Sequence, residues 1–277
     1  MWTSRPDEGS TLSIRAFHAN DNVVASDREG GEKHSATDIP NGCPEPITGF
    51  WGFIHSLLGV RISVLKRVVI TGGTGGLGTA IAGEFAGCGW DVVSLGSKDL
   101  DLADIAAVKR FFHGQSCDLL VCCAGIIRDA PLPRMEEEEW DQVMEVNYEA
   151  AARCAAAAVP GMLAKGSGHV IFLSSYAALN PAAGQVAYAA AKAALHGLAR
   201  HLAALHGPAG LRFNVVLPGF METPMTGAVS GKRKESIRAS HVLGEFNTTA
   251  EAARFMRFLE EELRFTSGQV FSLDSRL

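Results

Sequence analysis

The chain has 277 residues, of which 47% are hydrophobic, and it carries a formal net charge of −5 at pH 7. This length is ample for one sizeable hydrophobic core, and the negative charge offers no basic surface for a nucleic-acid partner. The six cysteines show neither the paired spacing of a metal site nor a disulfide framework. We therefore expect reduced cysteines, no bound metal and a cytoplasmic location.

The N-terminal part of the chain differs in composition from the rest. Residues 1–46 are polar and lack sustained periodicity, which is typical of a disordered tail, and their opening MWTSRPDEGS does not resemble a signal peptide. Residues 47–65 are apolar but too short to span a membrane. They predict an amphipathic segment that docks on the domain, on a partner or on a membrane surface. Translation beginning near Val64 is a further hypothesis.

The folded domain is expected over residues 66–277, and it begins with a strand, a glycine-rich turn and a helix. KRVVIT predicts a short strand, and the Ala-rich stretch from Gly76 predicts the helix. Glycines at positions 72, 76 and 78 would let the backbone approach a pyrophosphate at the helix N-terminus. The alternative is a plain strand–turn–helix unit without a ligand.

The next segment, DVVSLGS, predicts a second strand, and a helical pattern follows almost at once. Alternating strands and helices indicate a parallel sheet with crossover helices. In dinucleotide-binding folds an acidic residue at the end of this strand binds the ribose 2′-hydroxyl. In this chain that place is taken by Gly96, Ser97 and Lys98, which could accept a 2′-phosphate. NADP(H) is therefore favoured, and NAD(H) remains possible.

A third strand, CDLLVCCAG, ends at Ala124 and Gly125. The stretch MEEEEWDQVMEVNYEAAARCAAAAVPGML predicts one long helix with acidic residues in its first turn and Asn147 in its middle. A polar residue in that place is either a satisfied core amide or part of a site.

A tyrosine and a lysine lie four residues apart in a later Ala-rich helix, so Tyr188 and Lys192 share one helix face. We expect the ammonium to lower the pKa of the phenol towards the range useful for proton transfer. Ser175, which closes the apolar strand HVIFLSS, could add a hydroxyl to the same site. A chance YxxxK pattern is the alternative.

Taken together, these motifs resemble the short-chain dehydrogenase/reductase family, over residues 66–277. The motif TGxxxGxG occurs as TGGTGGLG, NNAG as CCAG, and the Asn–Ser–Tyr–Lys set and a Pro–Gly segment follow in order. The positions that carry this resemblance are Thr71, Gly72, Thr74, Gly75, Gly76, Leu77, Gly78, Cys123, Ala124, Gly125, Asn147, Ser175, Tyr188, Lys192, Pro218, Gly219 and Thr223.

The resemblance implies an NAD(P)-dependent carbonyl reductase or alcohol dehydrogenase. Tyr188 would protonate the substrate carbonyl oxygen, Ser175 would hydrogen-bond it, and Lys192 would bind the nicotinamide ribose. Asn147 would hold a water that relays protons. The remaining cofactor contacts implied by the resemblance are to adenine from Asp101 and Leu102 and to the nicotinamide amide from Thr223.

Within the family, the stretch AGIIRDAPLPRMEEEEWDQVMEVN is similar to that of 3-oxoacyl-[acyl-carrier-protein] reductases. A 3-oxoacyl thioester, with acyl carrier protein as a possible partner, is therefore the expected substrate. The chain departs from that pattern where those reductases present basic residues to the carrier protein: Lys165 and His169 only loosely fill one of these basic positions. The terminal D-G-G is also replaced, by Asp274-Ser275-Arg276.

Two alternatives stand beside this assignment, and the first is a family member that acts on another ketone, alcohol or nucleotide-sugar substrate. The short connection after the second strand resembles that of sugar-nucleotide reductases such as dTDP-4-dehydrorhamnose reductase, although few residues follow Lys192. The other alternative is a catalytically silent dinucleotide-binding regulator.

The expected fold is a single-domain, Rossmann-like α/β structure: a doubly wound parallel sheet in three αβα layers with an N-terminal extension. The polar segment at residues 229–247 predicts a mobile substrate lid. The resemblance implies a homodimer or homotetramer. We expect an apolar substrate wall from Ile126, Ile127, Leu132, Ala177, Leu179, Phe220 and Met221.

Overall fold

The computed structural model describes residues 65–276. The expectations for residues 1–46 and for the apolar segment up to residue 64 lie outside the described residues. The strands are β1 (Arg67–Thr71), β2 (Asp91–Leu95), β3 (Leu119–Cys122), β4 (Gly168–Leu173), β5 (Leu211–Leu217) and β6 (Val270–Ser272). The helices are α1 (Gly76–Gly87), α2 (Ile105–Phe112), α3 (Glu137–Met144), α4 (Ala150–Lys165), α5 (Val186–His206), α6 (Gly231–Ala239) and α7 (Thr249–Glu261).

Within residues 65–276 the strands form one parallel sheet in the order β2-β1-β3-β4-β5-β6. The chain runs outward from β1 in both directions, so the order reverses between β1 and β3. In open α/β sheets this reversal leaves a crevice at the carboxyl ends of the strands, where ligands bind.

Both faces of the sheet are covered because successive residues of each buried strand point to opposite sides. Val69, for example, packs in a core with α2, α4 and α5. Its neighbours Val68 and Ile70 pack in a second core with α1 and α7. The three-layer, doubly wound Rossmann-like fold expected from the sequence is thereby confirmed.

The short connection after β2 has a simple structural form. β2 ends at Leu95, a loop follows, and α2 begins at Ile105. Asp104 caps this helix by accepting hydrogen bonds from the backbone N–H groups of Ala106 and Ala107, at 2.8 and 2.9 Å. One crossover helix thus carries the chain from β2 to β3, and β2 lies at the edge of the sheet.

The long helix predicted around Asn147 is interrupted by one wider turn. Residues Glu145–Glu149 form a π-helical turn between α3 and α4.

No helix in the part of the chain that the structure describes combines the length and the apolar character that crossing a membrane requires.

Candidate active site

A cavity of about 1380 Å³ opens at the carboxyl ends of the strands. Its walls come from the loops after β1, β2, β3, β4 and β5, from α5 and from α6. The cavity therefore lies at the position where the strand order reverses.

In the glycine-rich loop after β1, the backbone packs so closely at two glycines that a side chain there would clash with neighbouring backbone atoms. Gly72 has φ +66°, and a Cβ there would lie 2.7 Å from the Cα of Ala124. A Cβ on Gly78 would lie 2.3 Å from the carbonyl oxygen of Gly72. The loop is thus packed tightly between β3 and α1. Gly75 precedes α1 and provides no side-chain cap, so the first N–H groups of this helix are left for an anion.

At the end of β2 the cavity wall carries a hydroxyl. Ser97 lines the cavity, and Lys98 is exposed and is not part of the wall. The nearby Asp99 carboxylate is turned back on its own loop, where it accepts a hydrogen bond from the backbone N–H of Gly96 at 2.8 Å. The close-packed glycines, the uncapped start of α1 and the Ser97 hydroxyl therefore fit a dinucleotide.

Most residues proposed from the sequence meet on this one cavity. Three do not line it: Thr71, Lys98 and Asn147. Thr71 is buried, and its Oγ1 lies 3.5 Å from the backbone N of Ala124, which it supports. The expected site residues that do line the cavity are Gly72, Thr74, Gly75, Gly76, Leu77, Gly78, Ser97, Asp101, Leu102, Cys123, Ala124, Gly125, Ser175, Tyr188, Lys192, Pro218, Gly219 and Thr223.

Tyr188, Lys192 and Ser175 form a connected group. The Nζ of Lys192 lies 5.9 Å from the centre of the Tyr188 ring and donates a 2.9 Å hydrogen bond to the carbonyl of Leu173. Ser175 follows β4 and hydrogen-bonds the Tyr188 side chain. The arrangement puts two hydroxyls and an ammonium on one wall of the cavity.

The pKa of Tyr188 shifts in the opposite direction from the one expected. Burial raises it above its ordinary value, and the hydrogen bond from Ser175 offsets this only in part. The charges of Asp129 and Cys123 also raise the pKa of Tyr188, and the Lys192 ammonium is directed at the carbonyl of Leu173. At neutral pH Tyr188 is therefore protonated, the form that can donate a proton.

Lys192 is 4% exposed, and burial lowers its pKa to about 8, although the neighbouring thiols of Cys123 and Cys122 act in the opposite direction. An unfolded lysine keeps an ordinary pKa near 10.4. The free-energy penalty of burying the charge is thus fully present below pH 8 and is lost by about pH 10.5.

We expect this penalty to appear as a pH-dependent difference in the free energy of unfolding between the wild type and Lys192→Met. The unfolded wild type binds more protons than the folded one between pH 8 and 10.5, so its stability relative to Lys192→Met should rise across this window, by on the order of 3 kcal/mol. Urea unfolding at a series of pH values measures the difference. A difference that stays constant from pH 7 to 11 would contradict the assignment.

Asn147 is 1% exposed, and its amide is held on all sides. Its Oδ1 accepts from the backbone N of Ile126 at 3.2 Å, and its Nδ2 donates to the carbonyls of Ile126 and Val143, each at 2.9 Å. A Cβ on Gly125 would lie 2.7 Å from this Oδ1 and 3.5 Å from Lys192 Nζ. Asn147 thus fixes the loop beside Lys192; its role in holding a water stays a prediction.

The substrate end of the cavity differs in two respects from expectation. Leu132 and Leu179 are 61% and 56% exposed and do not line the cavity. Among the expected apolar residues, those that line it are Ile126, Ile127, Ala177, Phe220 and Met221. The lid segment contains a helix, α6, which Ser230 caps by accepting from the N–H of Arg233 at 3.3 Å.

Sequence reasoning missed Arg276 and Arg233, two cations that line the same cavity. A signal for Arg276 was present, because it replaces a glycine of the pattern that the C-terminal stretch resembles. Arg233 lay within the expected lid, but nothing in its spacing indicated a role in the site.

The basic position suggested for a carrier protein is only partly supported. His169 is buried: its Nδ1 lies 3.0 Å from Glu260 Oε2, and its Nε2 lies 3.0 Å from Asn214 Nδ2. His169 is therefore not accessible to a carrier protein, because its side chain is enclosed beneath α7. Lys165 is on the surface, where it pairs with Asp118.

Fold and site together define a dinucleotide-dependent oxidoreductase, and comparison with known proteins agrees. The family model described as "Enoyl-(Acyl carrier protein) reductase" matches residues 99–275. Escherichia coli 3-oxoacyl-[acyl-carrier-protein] reductase FabG is 31% identical over 234 residues, which is 76% of this chain and 96% of that protein. The Thermotoga maritima protein of the same name is 37% identical over 161 residues, 58% of this chain and 65% of its own length.

Solved structures point the same way. One from Beutenbergia cavernae, provisionally named an NAD(P)-dependent gluconate 5-dehydrogenase and holding NADP at low occupancy, superposes with a TM-score of 0.73 at 29% identity. The match covers 76% of this chain and 95% of that one. An oxidoreductase of Burkholderia thailandensis gives a TM-score of 0.71 at 28% identity, covering 77% and 92% of the two chains. The chain belongs to the short-chain dehydrogenase/reductase family of NAD(P)-dependent oxidoreductases that act on CH–OH groups.

Proposed function

We propose that this enzyme reduces a 3-oxoacyl thioester to the 3-hydroxyacyl thioester with NADPH. The proposal rests on one observation: Ser175, Tyr188 and Lys192 lie together on the cavity that the glycine-rich loop after β1 also lines. The similarity to FabG reductases supports the thioester as substrate.

Each step of the reaction has a residue suited to it. NADPH, when held by these residues, would supply the hydride that reduces the carbonyl carbon. Tyr188, protonated at neutral pH, gives its proton to the carbonyl oxygen, and Ser175 hydrogen-bonds the same oxygen. Lys192 stabilises the resulting phenolate, which then recovers its proton from solvent. One carbonyl, one hydride and one proton thus give one alcohol.

Lys192 also helps to hold the cofactor. We propose that its ammonium, now bonded to the carbonyl of Leu173, hydrogen-bonds the nicotinamide ribose as well. Thr223 lies close to the glycine-rich loop, since a Cβ on Gly76 would be 3.1 Å from its side chain. It is therefore well placed to contact the nicotinamide amide, while Asp101 and Leu102 line the adenosine end.

The preference for NADP(H) is proposed from the wall at the end of β2, where Ser97 lines the cavity and Asp99 is engaged with Gly96. A carboxylate at the Ser97 position would bind a ribose 2′-hydroxyl and repel a 2′-phosphate.

The test is oxidation of NADPH, and separately of NADH, with acetoacetyl thioester as substrate. We expect NADPH to be favoured, and Ser97→Asp to shift the ratio of kcat/KM values towards NADH by about 10- to 100-fold, because like charges cost a few kcal/mol. Cofactor binding without thioester turnover would contradict the thioester assignment. An unchanged ratio of kcat/KM values in Ser97→Asp would show that Ser97 does not select the cofactor.

Assembly and location are also proposed. We propose a cytoplasmic homodimer or homotetramer, supported by apolar side chains on the surface near α7 and β6, such as Phe258 and Phe265. Acyl carrier protein is a candidate partner, although only Lys165 of the two suggested basic residues is accessible. Light scattering at working concentration tests the mass, and a monomer would contradict the assembly.

A further inference from the structure

Arg276 lies at the substrate end of the cavity. Its Cζ is 3.7 Å from the centre of the Tyr176 ring, and Tyr176 directly follows Ser175 in the chain. Both Arg276 and Tyr176 line the cavity. A cation is therefore stacked on an aromatic ring one residue away from the hydroxyl proposed to bind the carbonyl.

Asp274 holds this guanidinium in place. Its carboxylate accepts from Arg276 Nε at 2.9 and 2.8 Å and also from Nη2. The Asp274 side chain is fully enclosed, and a Cβ on Gly219 would lie 3.2 Å from its Oδ2. Burial alone would raise the pKa of Asp274, but hydrogen bonds and charge from Arg276, with a contribution from His241, lower it below its ordinary value. The pair is thus ionised and rigid.

One edge of the guanidinium remains outside this ion pair. Asp274 occupies Nε and Nη2, which leaves Nη1 for another acceptor. Because Asp274 and Tyr176 fix the plane of the group, little side-chain entropy is lost when an anion binds to it.

A second cation, Arg233 on α6, lines the same cavity and takes part in none of the ion pairs among the described residues. Asp129, on the same cavity, accepts a hydrogen bond from Gln185 Nε2 at 3.1 Å, and Glu145 pairs with Arg153. Arg233 therefore adds to this wall a positive charge that no carboxylate among the described residues pairs with.

We infer that the carbonyl substrate of this enzyme carries a carboxylate, bound by Arg276 with Arg233 as the second cation. The inference rests on the proposed carbonyl reduction and narrows its substrate class. Tyr176 and Arg276 line the same cavity as Ser175 and Tyr188, so the carboxylate and the reacting carbonyl share that cavity. The carboxylate belongs either to a free oxo acid or to the far end of a short acyl thioester.

The first arm of the test compares matched pairs of ketones with NADPH. The probes are acetoacetate, levulinate and 5-oxohexanoate, each against its methyl ester. In the wild type we expect one acid to exceed its ester in kcat/KM. In Arg276→Gln that acid should lose about 10- to 100-fold, mostly through KM, because a charged hydrogen bond is removed. The ester should change less than about threefold, and Arg276→Lys should restore part of the loss.

Lys232→Gln is the matched control, because Lys232 is an exposed cation on α6 that does not line the cavity. It should leave both members of each pair unchanged, whereas Arg233→Gln should weaken the acid alone. The N-acetylcysteamine thioester of 3-oxoadipate, compared with that of acetoacetate, decides between a free acid and a carboxylated acyl chain.

The second arm measures binding without turnover. Titration calorimetry with levulinate, in the presence of NADP⁺, should show binding to the wild type and its loss in Arg276→Gln. Acid binding without reduction of any probe would overturn the proposed function and leave the carboxylate site standing. Equal losses for acid and ester in Arg276→Gln, or no acid preference and no acid binding in the wild type, would overturn the carboxylate site.

Discussion

Replacing Tyr188 with phenylalanine is expected to lower kcat/KM for carbonyl reduction by about 10²- to 10⁴-fold, the usual contribution of a positioned proton donor. The substitution removes the hydroxyl that Ser175 hydrogen-bonds and keeps the ring near Lys192. The cofactor cradle, formed by the loop after β1, is untouched. Steady-state NADPH oxidation measures the loss, and titration of protein fluorescence with NADPH should give an unchanged Kd.

The chain offers a matched control in Tyr148, which packs against the core and does not line the cavity. Tyr148→Phe should keep activity within about twofold, since it removes a hydroxyl from a side chain that does not line the cavity. If Tyr188→Phe retained wild-type turnover, Tyr188 would not be the proton donor.

The second large effect is expected at Gly78, where alanine should weaken NADPH binding by about 10- to 100-fold, or roughly 1.4 to 2.8 kcal/mol. A Cβ at this position would lie 2.3 Å from Gly72 O and 2.7 Å from Gly73 Cα, and both are backbone atoms. The loop after β1 must therefore move away from α1, which disrupts the cradle for the pyrophosphate. Overpacking should also lower the free energy of unfolding by about 1 to 3 kcal/mol.

Gly83 in the same helix separates this effect from a general response to Gly→Ala substitution. It is exposed, and a Cβ there meets nothing within 4 Å. Gly83→Ala should raise the free energy of unfolding by about 0.5 to 1 kcal/mol and leave the Kd for NADPH unchanged. Equal Kd values for Gly78→Ala and the wild type would show that the close packing does not shape the cradle.

Much of the fold could be predicted because its signals are local. The apolar strands around Val69 and Val170, and the glycines after β1, are patterns of a few neighbouring residues. The sequence also indicated that no further helix lies between β2 and α2, because the connection from Leu95 to Asp104 is short. The interruption around Asn147 was not predicted, because this π-helical turn accompanies a hydrogen bond from Asn147 to Ile126, a contact that local spacing does not reveal.

The candidate site was predictable where a motif carries its geometry. Tyr188 and Lys192 share a helix face by spacing alone, and they meet on the cavity as expected. The direction of the Tyr188 pKa shift was not predictable, because burial depends on packing that no spacing records. For the same reason the sequence did not show that His169, which loosely matches a basic position of the carrier site, lies in a buried network with Glu260.

The all-parallel sheet also determines how fast the site can form. Each strand pairs with a strand far along the chain: Val68 pairs with Leu119, and Val215 with Val270. Such non-local contacts slow folding to milliseconds or longer, because loop closure must precede the stabilising contacts. The loops that follow β1 and β3 line the cavity, so pairing of these two strands brings them together. We therefore expect cofactor binding to follow sheet formation in refolding, so that NADPH stabilises the finished domain without guiding its early collapse.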